Sequence, residues 1–163
     1  MSDAAILSEH VIEEIDRWKA RFPDEQQRSA VIGALHAVQH ENDGYLTAEQ
    51  MNGVADYLNL PTIQVYEVAT FYSMFQTQPV GRHNVAICTN VSCMLRGAED
   101  IVASVEKKLG IKLGESTEDG RIYLKQEEEC LAACCGAPMM MVDHDYYENL
   151  TPEKVSEILE GLE

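Results

Sequence analysis

The chain has 163 residues, of which 12 are basic and 28 acidic, for a net charge of −16. A hydrophobic fraction of 45% is enough for the packed core of one domain, or of a small domain with an appendage, and argues against global disorder. The acidic balance repels phosphate backbones and anionic lipid, so binding to nucleic acid or to a membrane surface is disfavoured, and no run approaches the roughly 20 apolar residues that span a bilayer.

The first ten residues carry acidic groups and no arginine, unlike a signal or transit peptide, which predicts a cytoplasmic protein. Ile6, Leu7, Val11, Ile15 and Trp18 then recur at helical spacing, and Pro23 follows the stop. Asp24 is a candidate N-cap for a second helix with Val31, Ile32, Leu35 and Val38 as its apolar stripe. Asp43-Gly44 is a turn signal. Thr47 and Gln50 have the form of a capping box for a helix from about Ala48 to Tyr57. Pro61 and Thr62 open a fourth helix, whose region carries the aromatic stripe Tyr66, Phe71, Tyr72 and Phe75, suited to core packing on one side and to a partner on the other. Residues 1–78 therefore read as a small helical bundle.

Pro79 and Gly81 mark a linker, and the period changes after it. A strand is expected over His83–Cys88, a helix over Gly97–Leu109, strands over Arg121–Lys125 and Pro138–Val142, and a tight turn over Asp143–Asp145 into Tyr146 and Tyr147. Thr151 and Pro152 start a last helix, with the cap first and the proline at the first helical position. Strand, helix, strand, hairpin and terminal helix is the order of a thioredoxin-like α/β domain, expected over residues 79–163, so the whole chain is expected to be α+β.

All five cysteines lie in this second half, and their odd number rules out full internal pairing. In a cytoplasmic chain such a group points to metal or redox chemistry before disulfides. Cys88 and Cys93 form a C-x4-C pair, Cys130 and Cys134 a C-x3-C pair with Cys135 directly behind. Each group follows an expected strand, so the two loops can meet at one end of a sheet. Two pairs supply the four thiolates of a [2Fe–2S] cluster, two to each iron. Thr89, Ser92, Gly136 and Ala137 are small residues whose amides are candidates to hydrogen-bond the sulfurs. A structural zinc site in an interaction domain is the alternative from another class, but it more often uses C-x2-C pairs. A dithiol oxidoreductase wants C-x-x-C, and a plant-type ferredoxin wants C-x4-C-x2-C; neither is present. Cys135 leaves open which of the adjacent thiols ligates iron.

Other features are weaker. His36 and His40 stand four apart on a predicted helix, but no glutamate base or third ligand accompanies them, so surface or core histidines are expected. Glu127, Glu128 and Glu129 lead into Cys130; near a cluster they would lower its potential, but a solvated acidic edge is the preferred reading. There is no G-x-G-x-x-G and no P-loop, so the chain is not expected to oxidise a nicotinamide alone.

The segments Leu35–Gln39, Gly44–Leu46, Val65–Tyr72, Pro79–Gly81, Cys88-Thr89, Cys93–Gly97, Cys130–Cys134 and Ala137-Pro138 together resemble the E-subunit family of bacterial NADH–quinone oxidoreductases (respiratory complex I), thioredoxin-like [2Fe–2S] ferredoxins. The resemblance covers nearly the whole chain. It implies that Cys88, Cys93, Cys130 and Cys134 hold one [2Fe–2S] cluster. It also implies a neighbouring subunit that binds FMN and NADH, further iron–sulfur subunits, and a cytoplasmic place peripheral to the inner membrane. The same module resembles diaphorase subunits of NAD-linked hydrogenases and formate dehydrogenases.

Overall fold

The computed structural model describes residues 6–125 and 130–163. The chain folds as two units, Met1–Pro79 and Val80–Glu163.

The first unit is helical. Helix α1, Glu9–Lys19, starts at Ser8, whose hydroxyl accepts from the Val11 N–H at 3.1 Å. Leu7, Val11 and Ile15 enter the core, while Ile6 stays exposed. Asp24 does not cap the second helix. Between Pro23 and Ala30 the chain makes a turn and then a 3-10 segment, Gln27–Ala30, and these consume the local amides: Gln26 N–H donates to Pro23 O and Ser29 N–H to Gln26 O. Helix α2, Val31–Glu41, then begins at Ala30 without a side-chain cap. It packs on α1, and a Cβ at Gly33 would overlap the indole of Trp18, so the absence of a side chain there lets the two helices close. Asp43 and Gly44 take positive φ in the expected turn.

Helix α3, Ala48–Tyr57, carries the full capping box, with Gln50 N–H donating to Thr47 Oγ1 at 3.2 Å and Thr47 N–H to Gln50 Oε1 at 3.0 Å. Helix α4, Thr62–Phe71, follows Pro61 and packs on α3. Its aromatic region divides by environment. Phe75 is in the core and Tyr66 packs against it, whereas Phe71 is 79% exposed and meets Tyr72 edge to face. Among the described residues, no helix is long and apolar enough to cross a membrane.

The second unit is a five-stranded sheet with strands β1 His83–Ile87, β2 Glu115–Ser116, β3 Ile122–Lys125, β4 Met140–Val142 and β5 Asp145–Tyr147, in the order β2-β3-β1-β4-β5. The central β1 is parallel to β3, from His83↔Ile122 to Ala86↔Lys125, and antiparallel to β4, with Ile87 opposite Met140. A short helix α5, Val91–Met94, and a longer α6, Ala98–Leu109, connect β1 to the edge; α7, Pro152–Glu160, closes the chain. Ile101 and Val105 of α6 and Val155 and Leu159 of α7 cluster with Val85, Ile87, Ile122, Leu124, Met140 and Val142. The Lys108 ammonium donates to Ser156 Oγ at 2.6 Å and so ties α6 to α7. Asp143 turns the β4–β5 hairpin at φ 55° and accepts from Asn84 N–H at 2.8 Å through its carboxylate. Thr151 caps α7 with Pro152 first in the helix, as expected. Helix α5 and strand β2 have no counterpart in the sequence reading, because neither is long enough to display a period.

The capping box gives a direct check on the helical unit. Thr47→Ala removes the hydroxyl that accepts from Gln50 N–H, while the N–H of residue 47 keeps its partner on Gln50 Oε1, and is expected to lower stability by about 1 kcal/mol. In urea unfolding the midpoint should fall with the slope unchanged.

Candidate metal centre

Because β1 and β3 are parallel, their C-terminal ends lie side by side. Cys88 follows Ile87 at one of these ends, and Cys130 follows β3 beyond residues 126–129. The acidic run Glu127–Glu129 falls outside the described residues.

The first loop is held from within. Cys88 extends the β1–β4 ladder, its N–H donating to Met139 O at 3.1 Å. Asn90 then caps α5, accepting from Val91 N–H at 3.0 Å, and the single helical turn carries Cys93 inward. Cys93 is 1% exposed, while Val91, Met94 and Leu95 around it stand in solvent. The turn ends at Gly97, whose φ of 91° is a left-handed conformation that glycine adopts without strain, and α6 departs from there. Cys88 and Cys93 pack with Ala98, Ala137 and Met139 in a small apolar cluster of their own.

The second loop is open. Cys130, Cys134 and Cys135 are all exposed. Ala132, at φ 63°, folds the loop back so that its N–H donates to Cys130 Sγ at 3.3 Å. Cys130 Sγ and Cys134 Sγ lie 3.4 Å apart. Two thiolates on one tetrahedral metal, with metal–sulfur bonds of about 2.3 Å as for zinc, would be roughly 3.8 Å apart. Cys134–Gly136 is a 3-10 turn, followed by a cis Ala137–Pro138 peptide. The Gly136 and Ala137 amides, expected at the sulfurs, are used by that turn, donating to Ala133 O at 3.0 Å and Cys134 O at 3.3 Å. Ala132 N–H instead donates to sulfur, at Cys130, and the Met139 amide favours the thiolate of Cys93. The sequence held no sign of either, since both roles depend on loop conformation rather than residue type.

The four thiols form two pairs. Cys88 and Cys93 pack together in one apolar cluster, and Cys130 Sγ faces Cys134 Sγ. Burial and the Cys88 hydrogen bond push the Cys93 thiol up to about 11; the Met139 amide acts in the opposite sense, and the charges of Cys88 and Cys134 add to the rise. Leu131, Ala133 and Ala137 of the second loop pack in the same apolar cluster as Cys88 and Cys93, which brings the two loops together. Among the described residues, no three His, Cys, Asp or Glu side chains converge as they would on a single ion. His36 is engaged elsewhere, with Nε2 3.0 Å from Met74 Sδ and its ring 4.9 Å from that of Phe75.

The contrast in environment predicts an order of reactivity in the metal-free chain. At pH 8 a thiol titrating near 11 is ionised in only about one molecule in a thousand, and the thiolate is the nucleophile. Iodoacetamide should therefore label Cys130, Cys134 and Cys135 well before Cys93, and raising the pH toward 11 should narrow the gap. Peptide mass spectrometry over a time course checks it.

The family model of the thioredoxin-like [2Fe–2S] ferredoxins matches residues 15–163. The E subunit of the NADH-quinone oxidoreductase of Rickettsia conorii (strain ATCC VR-613 / Malish 7) is 43% identical over 143 residues, spanning 88% of this chain and 85% of that protein. Its counterpart in Rickettsia bellii (strain RML369-C) is 44% identical over 142 residues, 87% and 84% of the two chains. Among solved structures, an NAD+-reducing [NiFe]-hydrogenase in the air-oxidized state superposes with a TM-score of 0.67 at 21% identity; the match covers 78% of this chain and 22% of the hydrogenase chain, a likeness of fold. The order of strands, the paired cysteine loops and these matches agree: the chain belongs to the thioredoxin-like [2Fe–2S] ferredoxin family, in the form found as the E subunit of NADH-quinone oxidoreductases.

Proposed function

We propose that the chain is an electron-transfer subunit of an NADH–quinone oxidoreductase, holding one [2Fe–2S] cluster on Cys88, Cys93, Cys130 and Cys134. It would exchange single electrons with the FMN of a flavin- and NADH-binding subunit, next to further iron–sulfur subunits, on the cytoplasmic side of the inner membrane. The observation that carries this reading is the arrangement of the thiols, two and two, in the loops that follow two adjacent parallel strands. A two-iron centre asks for that grouping, and it supplies one-electron chemistry when bound. Relatives more than 40% identical favour the oxidoreductase over a hydrogenase diaphorase, whose solved structure is only 21% identical.

The residues then divide the work. Cys88 and Cys93 anchor the centre in the apolar cluster, away from water. Cys130 and Cys134 hold it from the open side, where a partner can come close. Amides of Ala132 and Met139 direct positive dipoles at sulfur and stabilise the negative thiolates. The chain has no nucleotide-binding glycine motif, so hydride transfer belongs to the flavin partner.

Anaerobically prepared protein is expected to contain two irons and two sulfides per chain and to show an EPR signal only once reduced. NADH should reduce it only after the flavin subunit is added. One zinc per chain and no iron would overturn the reading.

Cys134 rather than Cys135 is the proposed fourth ligand. In a 3-10 turn adjacent side chains diverge by about 120°, and Cys134 is the one whose sulfur faces Cys130. Cys135→Ser should leave the EPR spectrum nearly unchanged, whereas Cys134→Ser should lose or alter it. The reverse pattern would reassign the ligand.

A further inference from the structure

Glu148 lies just after β5, one hairpin beyond the second cysteine loop. Its side chain rests on the backbone of Gly136, in the turn that contains Cys134. A Cβ at Gly136 would overlap the Cβ, Cδ and Oε2 of Glu148, so the glycine leaves the space this carboxylate occupies. The approach is anchored on both sides. Asn149 N–H donates to Gly136 O at 2.6 Å, and Leu150 N–H donates to Pro138 O at 2.9 Å. Lys154 is near, but its ammonium donates to the main-chain oxygen of Glu148 at 2.5 Å rather than to the carboxylate. A formal negative charge is thus held against the open cysteine loop by the fold.

We propose that Glu148 is a residue that sets the reduction potential of this centre, holding it lower than the cysteine loops alone would. The inference rests on the proposed ligation of a [2Fe–2S] cluster by Cys134. Adding an electron adds negative charge at the thiolates, and a carboxylate seated on the backbone two residues from Cys134 opposes it by Coulomb repulsion. Because Glu148 is exposed, salt screens the effect partly. The carboxylate acts through its charge, from its seat on Gly136.

The test is a redox titration of the full chain, followed by EPR, for Glu148→Gln, Glu148→Lys and Glu118→Gln. Glu118 lies in the turn before β3, at the opposite end of that strand from Cys130, so it loses the same charge at a distance. The midpoint should move to more positive values in Glu148→Gln and further in Glu148→Lys, with little change in Glu118→Gln and with the g-values kept. High salt should shrink the shifts. Equal shifts in Glu148→Gln and Glu118→Gln, no shift at all, or altered g-values without a charge-ordered shift would overturn the proposal while leaving the cluster assignment intact. Unsubstituted protein that binds no iron and sulfide would overturn the cluster assignment, and this inference with it.

Discussion

The parallel pairing of β1 with β3 is the constraint on which the rest of the second unit depends. Parallel strands cannot be joined by a tight turn, so a crossover must separate them, and here α5 and α6 supply it. The crossover buries its apolar face on the sheet and leaves both strand ends on the same side. Two loops remote in sequence thereby become neighbours, and Ala137 and Met139 of the second pack with Cys88 and Cys93 of the first. The antiparallel β1–β4 pair acts in the same sense, since the second loop runs into β4 beside Cys88, whose N–H donates to Met139 O.

Within that frame the two loops differ in physical character. The first is short, helical and apolar, and it buries its thiols beside Ala98, Ala137 and Met139. Burial raises the cost of ionising Cys93, so a thiolate is favoured there only when positive charge arrives. The second loop is exposed and shaped by its backbone: a left-handed alanine, a 3-10 turn and a carbonyl pinned by Asn149. One loop offers a rigid apolar seat and the other a solvent-facing rim. A redox group held between them is insulated on one side and approachable on the other.

Much of this was legible in the residue order. Helix starts with a chemical signature were placed closely: Thr47 with Gln50, and Thr151 with Pro152. The paired cysteines and their positions after strands pointed to a shared site by themselves. The misreadings share one cause. Asp24 is a good capping residue in the wrong backbone, because the chain spends its amides on a turn before the helix begins. The amides of Gly136 and Ala137 were assigned to sulfur by proximity in sequence, yet the turn claims them first. The exposure of Phe71 beside a buried Phe75 follows from the helix ending between them, where the helical period no longer applies. Residue type predicts what a group can do; only the local backbone decides which of its options is taken.

The sheet register has a consequence for how such a chain can diverge. Val85 and Ile87 face the main core, and Asn84, Ala86 and Cys88 alternate with them along the strand and its extension. Insertion of a single residue in this strand would exchange the two sets and turn the first thiol away from its seat. The stretch between α6 and β3 is less restricted: Ile111 and Leu113 pack on the core, but the short edge strand β2 pairs with β3 alone. Length variation among descendants of this chain should therefore collect between Gly110 and Arg121, while the span from His83 to Cys93 keeps its residue count even where its side chains drift.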